Sequence, residues 1–169
     1  MRTVFDFFTD YGYVFEMMLA IGFFTWWMEK RKHYAVRVAA AGIILLAVMI
    51  MPKVLPLPEV IAQSVRVVLI YILCIAGVRF CYRVDTICAV FHVTAAGAVQ
   101  HFSFKLARTV LMPLWALGTM SEAKIFVLDW GYPVFFVLFT AAAYWIFGRV
   151  FRREDTDHLT STPMILFLL

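Results

Sequence analysis

Charge is scarce in this sequence. Asp, Glu, Lys and Arg make up 15% of its 169 residues, against about 25% in soluble domains, which excludes an ordinary water-exposed surface. Cysteine is scarce too. Cys74, Cys81 and Cys88 are odd in number, so neither a disulfide framework nor a zinc pattern follows, and they read as small buried hydrophobes. Catalytic signatures are missing: there is no Gly-rich phosphate loop, no Ser within a nucleophile elbow and no HExxH. The acidic residues Glu154, Asp155 and Asp157 sit beside Arg152 and Arg153 and read as a charge-compensated loop rather than a catalytic carboxylate pair. No internal repeat and no low-complexity tract occurs. The expectation is of no enzyme, no cofactor and no resident metal.

What is present is apolar: 64% of the residues are hydrophobic and 17% aromatic. A span needs roughly 20 apolar residues, and five runs approach that length. The expected fold is all-α, a polytopic membrane helix bundle forming one transmembrane domain over 1–169, with spans at about 12–28, 34–51, 60–80, 87–107 and 133–150. A sixth run, 164–169, is too short to cross. It suggests either a piece of a longer protein, the favoured reading, or a short tail at the interface. Pro52, Pro56 and Pro58 stop span two, because proline cannot continue a hydrogen-bonded helix. Between Thr109 and Tyr132 the run VLMPLWALG, interrupted by Pro113, reads as an interfacial segment anchored by Trp115 and Trp130. The N-terminus carries Arg2 with Asp6 and Asp10, which does not make a cleavable signal. Span one is expected to remain as an anchor.

Lys and Arg in alternate loops set the orientation. Lys30, Arg31, Lys32, Arg37, Arg79, Arg83, Arg149, Arg152 and Arg153 fall on one side, and Arg2, Lys53, Lys105, Arg108 and Lys124 on the other. The first side is therefore cytoplasmic and the N-terminus outside, in a multi-pass protein of the cell membrane. The net charge of +4 comes from clusters at span ends, a topogenic pattern that points to the lipid bilayer rather than to nucleic acid as the partner.

The stretch Ile87 to Arg108 organises the chain. It is a membrane-length helix carrying His92, Gln100, His101 and Lys105, with Ala95-Ala96-Gly97-Ala98 between them. Polar groups in hydrocarbon are costly and usually face a bundle interior, while small residues let a neighbouring backbone approach. His92, Ala96 and Gln100 share one stripe, and Gly97, His101 and Lys105 the adjacent one. Two histidines nine residues apart are poorly placed to share a metal ion. Glu16 in span one and Arg66 in span three add an acid and a base. At about 1.5 Å per residue, Glu16, Arg66, Gln100 and His101 all fall roughly 7 to 9 Å below the outer boundary. This predicts that Glu16 pairs with Arg66 or His101 around a small outward-facing pocket, since an unpaired buried charge costs several kcal/mol. The same groups could instead only hold helices together, and Arg66 could snorkel to the headgroups.

Phe15-Glu16, the cluster Glu29-Lys30-Arg31-Lys32 with Arg37 after it, Ala95-Ala96-Gly97-Ala98-Val99-Gln100-His101, and Arg152-Arg153 together carry a resemblance. Their order resembles the N-terminal membrane region of bacterial sensor histidine kinases with a GHKL-type ATPase domain, the class that includes the accessory-gene-regulator quorum-sensing receptors. The resemblance implies a two-component-type input domain whose catalytic part lies outside this chain, a peptide or small amphiphilic signal, and a homodimer. His101 is not the phosphoacceptor in such a reading, because it lies within the membrane. The ligand-sensing candidates are then Glu16, Arg66, His92, Gln100, His101 and Lys105. The alternative is a small membrane transport or substrate-binding component that uses the same groups.

Overall fold

A computed structural model describes residues 4–50, 59–116 and 122–148 of the chain. These residues form five α-helices: α1 (Val4–Thr25), α2 (Tyr34–Ile50), α3 (Glu59–Cys81), α4 (Thr86–Ala116) and α5 (Glu122–Ala143), the last running into a π-helical turn, Tyr144–Gly148. A helix satisfies its own backbone polar groups, which suits long apolar segments that water cannot solvate. Three helices are long and apolar enough to cross a membrane, over Ser64–Cys81, Thr86–Pro113 and Phe126–Ile146; the apolar parts of α1 and α2, Gly12–Thr25 and Tyr34–Met49, are shorter. The Pro52 to Glu59 connection lies largely, and the 164–169 run wholly, outside the described residues.

Three boundaries differ from the sequence expectation. α1 begins at Val4 rather than near Gly12. The Val110 to Ala116 part of the expected interfacial segment is instead the end of α4, which passes through Pro113. α5 likewise starts at Glu122 and passes through Pro133. A proline inside a helix can kink it rather than end it.

α4 is the hub and packs on α5, α1 and α3, while α2 packs on α3. Half of its apolar stretch is buried, against 22% for that of α3 and 28% for that of α5. Small side chains explain the closeness: Ala20, Ala96 and Ala143 from α1, α4 and α5 are buried in one cluster with Phe24 and Val99. On the α3 side, the Tyr71 ring lies so close to Gly97 that a Cβ there would sit 2.1 Å from its hydroxyl. The outer faces are apolar, with Val36 and Ile43 on α2, Ile72 on α3 and Phe126 and Leu138 on α5 exposed. An apolar surface of this extent marks contact with lipid or with a partner.

At one end of the bundle the α1–α2 and α3–α4 connections are joined. Arg31 N–H donates to Cys81 O (2.9 Å) and Arg83 N–H to Glu29 O (2.9 Å), an antiparallel bridge between Lys30 and Tyr82. The Arg31 Nε–H donates to Tyr82 O at 2.8 Å, the Tyr34 and Tyr82 hydroxyls bond at 2.6 Å, and an Arg37 terminal N–H reaches Phe80 O at 2.8 Å. Buried Thr25 bends back to Ile21 O at 2.7 Å. His33, just before α2, takes φ 59°, a left-handed value that histidine adopts more readily than most residues. Asp85 caps α4 by accepting the Cys88 N–H at 2.7 Å, which satisfies one of the free donors of the first turn.

Candidate functional site

The most polar point in the interior is Glu16. Its side chain is 3% exposed and is reached by donors from two other helices. Gln100 Nε2 of α4 donates to one carboxylate oxygen at 2.6 Å, and the Tyr132 hydroxyl of α5 donates to the other. One carboxylate thus ties three helices whose residues are 84 and 116 positions apart in sequence. Periodicity brings the partners inward. Gln100 follows His92 and Ala96 on the stripe of α4 that is buried throughout, and Tyr132 follows Leu128 and precedes Phe136 on the buried stripe of α5.

The surroundings of the node are apolar. Ala20, Phe24, Ala96, Val99 and Ala143 pack in one cluster, and Ala107, Leu111, Leu128 and Phe136 gather round Tyr132 in another. Phe104 meets the Tyr132 ring edge-on at 6.2 Å and Phe136 stacks with it at 6.4 Å, so the hydroxyl is aimed by packing as well as by the carboxylate. Two further buried hydroxyls, on Ser103 of α4 and Thr140 of α5, have no hydrogen-bond partner among the described residues. Ser103 is one turn from Gln100 and Thr140 two turns from Tyr132. The interior between α4 and α5 therefore holds polar capacity that neighbouring side chains do not satisfy.

The expected partners of Glu16 are corrected by this geometry. Arg66, on α3, is half-buried and does not meet Glu16, because the carboxylate faces α4 and α5. His101 and Lys105 are exposed, although Gly97 on the same stripe is buried. Adjacent residues of a helix point about 100° apart, so Gln100 and His101 cannot both enter one narrow interior. Along α1, which starts at Val4, Glu16 lies roughly 18 Å from the helix start. Tyr132, read from sequence as the edge of a loop, is the partner that was missed; its place on the Leu128, Tyr132, Phe136, Thr140 spacing of four was the available signal.

His92 is buried away from the node. Its Nδ1 lies 2.8 Å from Cys88 O, and since a carbonyl only accepts, Nδ1 carries the proton and Nε2 is left as an acceptor. That Nε2 is buried with no hydrogen-bond partner among the described residues, with the rings of Trp27 and Phe91 at 5.6 and 5.4 Å. Cys88 Sγ is 3.5 Å from Nδ1. Among the described residues no group of three or more His, Cys, Asp and Glu side chains could hold a metal ion. At the far end of α1, Trp26 Nε1–H donates to the Tyr144 hydroxyl at 2.6 Å, and Phe23 and Phe24 pack on the same ring. α1 therefore holds α5 twice, at Tyr132 and in the π-helical turn.

No protein-family model matches the chain, and no curated protein or solved structure does either.

Proposed function

We propose that this chain is the membrane-embedded input domain of a signalling kinase of the two-component, GHKL type, multi-pass in the cell membrane with its N-terminus outside. The observation that carries the reading is the Glu16–Gln100–Tyr132 node. A polar group buried among lipid-length helices is costly and tends to mark function, and this one is shared by three helices, so any ligand or proton that alters it shifts α1 and α5 against α4. A bistable packing of that kind is what a receptor needs to carry a signal along its helices. α5 is the output element in this reading, because it is gripped by α1 both at Tyr132 and at Tyr144. The signal is a peptide or small amphiphile arriving from the membrane or its outer face.

The test is made in membranes of cells expressing the native gene from its own locus. Wild type and Glu16→Ala are incubated with labelled ATP, and acid-labile phosphohistidine is measured on the protein and on whatever co-purifies with it. The expected result is a phosphohistidine level that differs between the two while membrane insertion is equal. Equal phosphohistidine together with loss of uptake of a solute would assign the node to transport and reject the input-domain reading.

A further inference from the structure

Away from the node, the bundle contains a cleft. α1 packs on α2 and α4, and α3 packs on α2 and α4, so α1 and α3 flank a gap floored by α2. The cavity there measures about 120 Å³ and is lined by Met18, Ile21 and Gly22 of α1, Val38 and Leu45 of α2, and Cys74 and Val78 of α3, among others. It is of the order of the 150 Å³ apolar cavity that admits benzene, enough for a section of hydrocarbon chain. Among the described residues none of its fully buried side-chain polar atoms is unsatisfied, the Thr25 hydroxyl being bonded to Ile21 O. Lining residues run from Tyr34 to Leu45 on α2 and from Tyr82 back to Leu73 on α3, a length of roughly 14 to 16 Å. That is the depth of one leaflet of a bilayer whose hydrocarbon core is about 30 Å thick.

The mouth of the cleft has a different chemistry. Tyr34 and Tyr82 line it with hydroxyls bonded to each other, which uses one of their two hydroxyl protons and leaves the other to donate outward. Lys30 Nζ lies 5.3 Å from the centre of the Tyr34 ring, and Arg31, Lys32 and Arg83 belong to the same two connections. Of the two acids at this end, Glu29 is paired with Arg83 at 2.8 Å and Asp85 is engaged as the cap of α4. Arg31 and Arg37 donate to carbonyls, which leaves their charge uncompensated. Lys30 and Lys32 are exposed. An apolar slot one leaflet deep, closed at its mouth by hydroxyl and cationic groups, is complementary to an anionic phospholipid.

We propose that this cleft binds one anionic phospholipid, an acyl chain lying between α1 and α3 and the phosphate held at the mouth by Lys30 and Lys32. The site is separate from the Glu16 node and stands or falls independently of the signalling reading. Gly22 supplies the means of testing it, because a Cβ built there meets no atom within 4 Å. Gly22→Leu would fill the slot without disturbing helix packing.

The full chain is reconstituted with phosphatidylglycerol or with phosphatidylcholine of the same acyl chains, washed in detergent, and its retained lipid counted by native mass spectrometry. Wild type is expected to keep one phosphatidylglycerol and to lose phosphatidylcholine. Gly22→Leu should lose the retained lipid while its circular dichroism stays unchanged and its thermal midpoint does not fall. The double variant Lys30→Gln, Lys32→Gln alters only exposed side chains. Since each cation near a charged headgroup contributes a factor of about five to affinity, it should lower the preference for phosphatidylglycerol about twenty-fivefold. Equal retention of the two lipids by wild type, undiminished retention by Gly22→Leu, or an unchanged preference in the double variant would each overturn the proposal.

Discussion

Glu16 illustrates what a single residue can impose on an apolar interior. Left alone it would cost several kcal/mol, and the fold answers by turning Gln100 and Tyr132 toward it. Glu16→Ala should remove the acceptor that the Gln100 amide and the Tyr132 hydroxyl share and lower the unfolding free energy by about 1–3 kcal/mol. Glu16→Gln should cost much less. Its amide oxygen still accepts one donor, and the Tyr132 hydroxyl can turn to accept from its NH2 group; equilibrium unfolding of both variants in bicelles checks the order. Sequence alone located the acid and the amide, because a polar side chain in an apolar run stands out, and the depth estimate correctly put Glu16 and Gln100 at one level. It failed on azimuth. Depth fixes how far along a helix a residue lies and says nothing about which neighbour it faces, so His101 and Arg66 were drawn in as partners although the carboxylate faces Gln100 and Tyr132. Tyr132 escaped because tyrosine is equally at home at a membrane boundary.

At the scale of elements, α4 is shaped by its small residues and its cap. A Cβ on Gly97 would lie 2.1 Å from the Tyr71 hydroxyl and 2.9 Å from the ring carbon that bears it, so Gly97→Ala should force the ring aside and destabilise the bundle by about 1–3 kcal/mol. Tyr71→Phe removes the nearest atom and should recover part of that loss. Gly22→Ala meets open space and should be neutral or stabilising by up to about 1 kcal/mol, as expected for Gly to Ala within a helix. Parallel thermal melts of these variants separate the two glycines. Asp85→Ala should cost about 0.5–2 kcal/mol through loss of the cap, read as faster amide exchange in the first turn of α4. The five helices of the described residues and the central place of α4 were legible from apolar run length and small-residue content. The continuation of α4 through Pro113 was not, because a proline can kink a helix rather than end it.

For the whole molecule, orientation and the coupling of its helices are the properties to establish. The basic end, where Lys30 and Tyr82 bridge two connections, is expected in the cytoplasm by the distribution of Lys and Arg. Lys32→Cys should resist an impermeant maleimide in intact cells and react after permeabilisation, with the wild type as control for Cys74, Cys81 and Cys88; labelling in intact cells would invert the topology. The tertiary links that join α1 to α4 and α5 were invisible in sequence because they span 84 and 116 residues, and periodicity reports only which face of each helix is buried. The most direct test of the account is therefore a double-mutant cycle across the node: unfolding free energies of wild type, Glu16→Ala, Tyr132→Phe and the double variant, measured in bicelles. The expected result is a coupling of about 0.5–2 kcal/mol between the two positions. Additivity within about 0.3 kcal/mol would mean that Glu16 and Tyr132 do not share a bond, and would contradict the node on which the proposed function rests.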